Sequence, residues 1–389
     1  MQMRYTRFIT LALFSLFSFH CLAVSFTDPV DNKLDMGEYL AENAYGFLPV
    51  PIVITEPALG YGGGMMGVFL HESDSQKAKR KKEAQKSLNG GAKLMTPGIS
   101  VVGAFGTQNG TWGGFVGHRQ TWKKDNIRYM GGAFYGDIHM NFYTPLAGAD
   151  ADGFEMSMNG GGVMQKLQFR IADTPLFLGF TQQFVKPKLS IVDADKINHI
   201  ATTWLNTDPN VSGLGLIAEY DTRNSFLYPT AGGDYIAKYQ VYDDSIGSDY
   251  DYQTFKVQGV QYFPLAKQWD GAIKAQYNTL STDERLLPPA AYPDIELRGI
   301  GRNRYQGTST ASVETQVTYK ITNRWSTSLF GGVGSATDAT DELFKDDRHY
   351  SYGTGVRYLI ARRYGLRVGI DIAKSEEDRA VYFQVGTGI

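Results

Sequence analysis

The feature that most narrows the folds open to this chain is a two-residue alternation that fills its C-terminal third. From Ser312 to Lys320 the even positions are polar (Ser312, Glu314, Gln316, Thr318, Lys320), while Val313, Val317 and Tyr319 occupy odd ones. Tyr350, Tyr352, Val356 and Tyr358 then oppose Ser351, Gly353, Gly355 and Arg357, and Tyr364, Leu366, Val368, Ile370 and Ile372 oppose Gly365, Arg367, Gly369 and Asp371. The chain ends with Val381, Phe383, Val385 and Ile389 set against Tyr382, Gln384, Gly386 and Gly388. Period two means β-strands with one apolar and one polar face. In a soluble sandwich the apolar face is the core. In a membrane barrel it meets lipid, and the polar face lines a wet interior.

Composition narrows the choice. With 42% apolar and 20% charged residues the chain is not disordered. The 44 glycines, 24 tyrosines and 22 phenylalanines suit strands, tight turns and aromatic girdles. Mean hydropathy is −0.27, and beyond the N-terminus no apolar run reaches the roughly 18 residues a membrane helix needs, which excludes a helical bundle but not a barrel. Because strands follow one another with almost no helical pattern between them, an all-β, 16-stranded antiparallel transmembrane barrel is expected.

Residues 1–23 read as a signal peptide: Arg4 and Arg7, the apolar stretch Phe8–Phe19, then small residues around Cys21-Leu22-Ala23. A lipid-modified Cys21 is disfavoured by His20 at a position that wants a small side chain. Cleavage would leave a cysteine-free chain and move the formal charge from −2 to −4, which gives no electrostatic footprint for nucleic acid. Residues 24–50 form a short leading segment, in which Leu34–Tyr45 could make an amphipathic helix, and residues 51–389 form the barrel.

The pattern gives sixteen strands, from Pro51–Glu56 to Tyr364–Lys374 and Val381–Ile389. The links after strands four, six, ten, twelve and fourteen are short, whereas those after five, seven, eleven and thirteen are long, as in outer-membrane barrels with short periplasmic turns. Glu72–Pro97, after strand two, is long and basic (Lys77, Lys79, Arg80, Lys81, Lys82, Lys86). Parity puts it in the periplasm, or outside if the first strand is misassigned. It reads either as a solvated flexible loop or as a contact for an anionic partner such as phospholipid headgroups, lipopolysaccharide phosphates or an acidic protein.

Two stretches are more specific. Glu296-Leu297-Arg298-Gly299-Ile300 and Arg304-Tyr305-Gln306-Gly307 precede strand twelve. Glu219-Tyr220-Asp221-Thr222-Arg223-Asn224 ends strand eight, and Tyr228-Pro229-Thr230-Ala231-Gly232 leads into strand nine. From Pro51 to Ile389 the chain resembles the BamA/TamA family of outer-membrane proteins, the bacterial surface-antigen barrels. It looks like a short branch of that family, with no polypeptide-transport domain ahead of the barrel. The resemblance implies a loop after strand eleven that folds into the lumen, with Arg298 and Gly299 as its lock and an inward acid as the partner of the arginine. It also implies that barrel-assembly machinery inserts the chain.

Three departures bear on that lock and signal. Ile300 replaces the usual aromatic, and Ile389 the terminal one. In the strand-thirteen pattern Phe330-Gly331-Gly332-Val333-Gly334, Gly332 stands where the family carries aspartate, so Glu314 or Asp371 would have to serve Arg298.

For function, envelope biogenesis (insertion or translocation of protein or lipid) stands against a passive solute channel tuned by Glu314, Arg357, Arg367 and Asp371. Those charges can equally be structural, paired with one another between strands. An enzyme is not expected, because there is no nucleophile elbow or His-Glu-x-x-His motif, and the histidines show no metal-ligand spacing. No cofactor is expected. The partners are outer-membrane lipids and lipopolysaccharide, with the client unknown.

Overall fold

The computed structural model describes residues 26–42, 47–86, 98–143, 153–193 and 207–389. The signal peptide over 1–23, Cys21 and His199 lie outside them, as does the end of the basic segment, 87–97.

Sixteen strands run in sequence order, each antiparallel to the next, and curl into a nearly closed barrel. They are β1 Phe47–Ile54, β2 Gly62–His71, β3 Gly98–Thr107, β4 Trp112–Trp122, β5 Ile127–Phe142, β6 Phe154–Arg170, β7 Leu176–Ile191 and β8 Val211–Asp221. Then follow β9 Gly232–Tyr242, β10 Tyr252–Ala266, β11 Trp269–Ser281, β12 Ser309–Lys320, β13 Trp325–Thr337, β14 His349–Ala361, β15 Leu366–Ser375 and β16 Arg379–Val385. Among the described residues, two α-helices stand outside the sheet, α1 Gly37–Glu42 and α2 Asp74–Lys86.

The alternation sorts as the physics of lipid requires. On β12, Val313 and Val317 are exposed while Ser312, Glu314, Gln316 and Thr318 are buried. Leu329 (70% exposed), Tyr350, Tyr352, Ile370 and Ile372 continue the outer belt. An apolar belt of this extent is stable only against hydrocarbon. Aromatic pairs Trp122–Tyr129, Trp269–Tyr319 and Trp325–Tyr358 ring the short-turn end.

Four expectations are corrected. The first strand starts earlier, at Phe47. The basic Glu72–Pro97 segment is not wholly a flexible loop, because Asp74–Lys86 is helical. Strand fifteen starts at Leu366, because Arg362–Tyr364 forms a short helical turn closed by Gly365 at φ 67°; Tyr364 is therefore buried rather than outward-facing. The last strand stops at Val385, because Gly386 (φ 92°) and Gly388 (φ 86°) take the left-handed region and turn the chain off the sheet.

Candidate functional site

Arg298 is the centre of a buried ion network. Its Nε donates to Glu314 Oε1 at 2.9 Å and one terminal nitrogen to Asp371 Oδ2 at 2.8 Å. The other terminal nitrogen reaches Glu314 as well, and Gln316 Oε1 at 3.0 Å, while the guanidinium lies 3.5 Å from the Phe330 ring centroid. Arg357 holds the second side of Asp371, at 2.6 and 2.8 Å. Two arginines thus face two carboxylates, which offsets the desolvation of each.

The register explains how the arginine keeps a partner without an acid at Gly332. Glu314 is directly opposite Gly332 across the β12–β13 ladder, so the carboxylate sits one strand over. A Cβ at Gly332 would lie 2.8 Å from Leu297 Cδ2 and from Val313 O, and one at Gly334 would run into Ile295. The missing side chains are the space into which Ile295 and Leu297 pack, and Ile300 completes that cluster. Gly299 has φ 94°, donates its N–H to Tyr382 Oη at 3.0 Å and would press a Cβ onto Lys374 N at 2.9 Å, so only glycine fits. Nearby, Arg304 covers the Tyr143 ring and pairs with Glu377 at 3.2 Å, Tyr305 stacks on His349, and Gly307 donates to Pro293 O.

The chain end enters the same network. Thr387 O accepts from Gln316 Nε2 at 3.3 Å and from Arg357 at 3.4 Å, and a Cβ on Gly388 would collide with Arg357. Sequence reading placed these glycines in the strand and so missed this turn.

The Tyr220–Gly232 motif builds a turn. Asp221 holds Arg223 at 2.9 Å and Arg128 at 3.0 Å, and Arg223 also reaches Asp234 at 3.0 Å. Gly232, at φ 85°, sits where any Cβ would strike Thr222 O, and Pro229 lies in the turn. Tyr220 faces outward, 6.5 Å from Tyr235. The turn carries Phe226, Leu227 and Tyr228 across the barrel end: Arg119 of β4 covers Phe226 at 4.0 Å, and Arg367 of β15 covers Tyr228 at 4.6 Å. Leu227 O lies beside Gly386. Arg367 spends its remaining donors on the carbonyls of Arg324 and Asn323. This crossing was not foreseen; three consecutive apolar residues inside a turn were the available signal.

The join between β1 and β16 differs from every other. Each neighbouring pair from β1–β2 to β15–β16 is joined by a backbone ladder, with a register shift in β10–β11 and in β14–β15, but among the described residues β1 and β16 share none. Pro49 and Pro51 stand at alternate positions of β1, and their pairing with β2 is unbroken. Their nitrogens, which have no hydrogen to donate, therefore face the β16 side. The link made there is Thr55 Oγ1, which accepts from Val381 N at 3.1 Å and donates to Val381 O.

Clamps outside the sheet bridge this join at both ends. At the long-loop end, Gly301 N donates to Asp378 at 2.9 Å and Arg302 N to Glu56 at 2.9 Å, so one loop grips the flanks of β16 and β1. Glu56 is half-buried, and the desolvation pushes its carboxyl up despite the Arg302 contact. At the short-turn end, Arg324 binds Asp31 and Asp35, and Arg362 binds Asp28 at 2.5 Å. Burial pushes the Asp28 carboxyl up, but Arg362, the Val30 amide and the charge of Arg324 outweigh it and hold it below 3.8. Asp31 is held below 3.8 chiefly by its hydrogen bond from Arg324. Leu40 of α1 packs with Leu48, Val50 and Leu366 beneath the join. α2 is fixed to both sides: Arg80 pairs with Glu72 at 2.7 Å and lies over Tyr364, and Arg362 donates to Ala84 O at 2.6 Å.

Two acidic groups, Glu219/Asp221/Asp234 and Asp243/Asp244/Asp251, have ligand atoms close enough to share an ion. The first is matched by Arg128, Arg223 and Lys166 and the second is largely exposed, so arginine and water already serve them.

No protein-family model and no curated protein matches the chain by sequence. Solved structures do match in fold. BamA from Haemophilus ducreyi lacking POTRA domains 1–3 is similar with a TM-score of 0.54 and 13% identity, over 87% of this chain and 68% of that one. CdiB from Acinetobacter baumannii gives 0.51 and 9%, and CdiB from Escherichia coli 0.52 and 10%, each over 87% of this chain. The chain spans 59% and 61% of those two proteins. At these identities the likeness is one of fold, the barrel of this chain.

Proposed function

We propose that this barrel, with the fold of BamA and CdiB, acts in envelope biogenesis at the bacterial outer membrane, after export by a cleaved signal peptide. Its β1–β16 join is the route by which protein or lipid is inserted or translocated. The short-turn end faces the periplasm and the long loops face outside. The observation that carries this reading is the join itself, which among the described residues has no backbone ladder, and has prolines on its β1 edge and clamps that lie outside the sheet and can let go without unfolding a strand. Opening a laddered strand pair in lipid would strand many backbone groups, each costing several kcal/mol. Opening this one exposes few. On this reading the loop after β11 folds into the lumen and is held there by Arg298. That loop, the chain end and the Phe226–Tyr228 crossing take up the path a passive channel would need.

The test is to reconstitute the purified barrel in liposomes and measure, in one preparation, ion conductance and the folding rate of an added unfolded outer-membrane protein. Faster client folding with little steady conductance is expected. Steady conductance with no acceleration would overturn the proposal in favour of a solute channel.

A further inference from the structure

α2 is a 13-residue helix, about 20 Å long, that the barrel fold does not require. Its buried side is Arg80 and Ala84, both anchored to the barrel end. Lys79, Lys82 and Lys86 share the other side at three- and four-residue spacing, and Lys81 flanks them; all four are exposed. No apolar stripe accompanies them, so this face cannot insert into hydrocarbon and works by charge alone.

A second observation sets its level. On the outer wall, His71 Nε2 and His118 Nδ1 each lie 2.8 Å from Ser100 Oγ. By register these three share the outward face with Met65, Val102 and Val116. A polar row on a lipid-facing wall is tolerated where headgroups and water begin, and Trp122 with Tyr129 marks the aromatic girdle at this same end. α2 starts at Asp74, three residues after His71, hence within about 10 Å of that row. At physiological salt charges act over roughly 8 Å, close to the width of a helix.

We infer that the Lys79/Lys81/Lys82/Lys86 face of α2 binds the anionic phospholipid headgroups of the leaflet at the short-turn end, holding phosphatidylglycerol-like lipid beside the β1–β16 join. Lipopolysaccharide phosphates belong to the opposite leaflet and are out of reach. A soluble acidic protein would find the same charge, but the headgroup row beside the helix favours the membrane. The inference rests on the membrane placement of the barrel and not on its transport role. Each lysine near an anionic surface is worth about 1 kcal/mol, roughly five-fold in partition.

The full chain is reconstituted in bilayers of nine parts phosphatidylcholine to one part phosphatidylglycerol, cut out with its adjacent lipid by a polymer, and the lipid ratio is measured by mass spectrometry. Wild type is expected to enrich phosphatidylglycerol several-fold over the bulk ratio and to lose the enrichment in 0.5 M salt. The variant K79Q/K81Q/K82Q/K86Q is expected to fall to the bulk ratio, and the matching arginine variant to keep the enrichment. Gel mobility before and after heating confirms that each variant is folded. Enrichment that survives in the glutamine variant overturns the inference. So does a wild type at bulk ratio that binds soluble polyglutamate, which would assign the face to an acidic protein.

Discussion

Arg298→Ala tests whether the loop after β11 is locked or merely resting against the wall. The arginine is 9% exposed, Glu314 5% and Asp371 fully buried. Removing it leaves Asp371 with Arg357 on both oxygens, but leaves Glu314 with only the backbone amide of residue 298 at 3.4 Å and the charge of Lys274 opposite it on β11. Breaking a buried pair by deleting one partner costs about 3–5 kcal/mol. Because Asp371 stays paired, the lower end applies, about 3 kcal/mol, and the melting midpoint should drop by roughly 4 °C in a chain of this length. The assay is the band shift of folded against heat-denatured protein on a gel, read across a temperature series. A second variant separates an orphaned charge from a general loss of packing: R298A/E314Q removes the uncompensated carboxylate and should melt above R298A alone. An unchanged profile for R298A, or a double variant that melts lower still, would refute the lock.

Three further outcomes follow from the same geometry. Gly332→Asp restores the acid carried by the barrels this chain resembles, yet it should lower the melting midpoint, because its Cβ meets Leu297 and Val313 O at 2.8 Å; Leu297→Ala should recover part of the loss. The leading segment should keep its amide-exchange protection at all pH values above 3.8 and lose it as pH falls through the lower folded-state values of Asp28 and Asp31, after correction for intrinsic rates. The sign follows from the shift: carboxyls held below their ordinary value stabilise docking while ionised, so loss beginning near pH 6 would contradict the Arg324–Arg362 assignment. Deleting residues 386–389 removes the Thr387 carbonyl contacts of Gln316 and Arg357 without touching β16, and should increase client-independent leakage of a small dye from liposomes more than it lowers the melting midpoint.

The wall of the barrel was legible in the sequence, and what fills its ends was not. Alternation is a local signal with a two-residue period, so Glu314, Gln316 and Asp371 could be placed on one face from their neighbours alone. Arg298 was reachable through its motif, and the acids facing it through that alternation. That Glu314 and Asp371 both serve Arg298 was not, because it depends on register: the β12–β13 pairing puts Glu314 opposite Gly332, within reach of the arginine alongside Asp371. α2 was read mainly as a loop since its residues carry no apolar stripe. It is held by Arg80, Arg362 and Tyr364, two of which lie almost 300 residues away. Gly386 and Gly388 fitted the strand pattern as small inward residues, and their positive φ has no signature in a single sequence.

The clamps at the join also differ in kind, which bears on how it would open. The long-loop clamp is made by backbone amides of Gly301 and Arg302 on two carboxylates, so it releases only if the loop itself moves. That loop is tied by Arg298 to β12 and β15, on one side of the join only. The short-turn clamp is made by side-chain ion pairs between turns of that same side and a segment ahead of β1. The short-turn pairs are as buried as those of Arg298, but they fasten a short leading segment that is not part of the sheet, so this segment can leave with its acids, which regain water, while no strand moves. Opening should therefore begin at the short-turn end, with Arg324 and Arg362 changing partners, while the Arg298 network stays intact as a hinge. Weakening the two clamps separately distinguishes this order. Arg324→Ala should speed client folding with the melting midpoint little changed, whereas Arg298→Ala should lower the midpoint first. Equal effects of the two on both readouts would mean that the join opens as one unit.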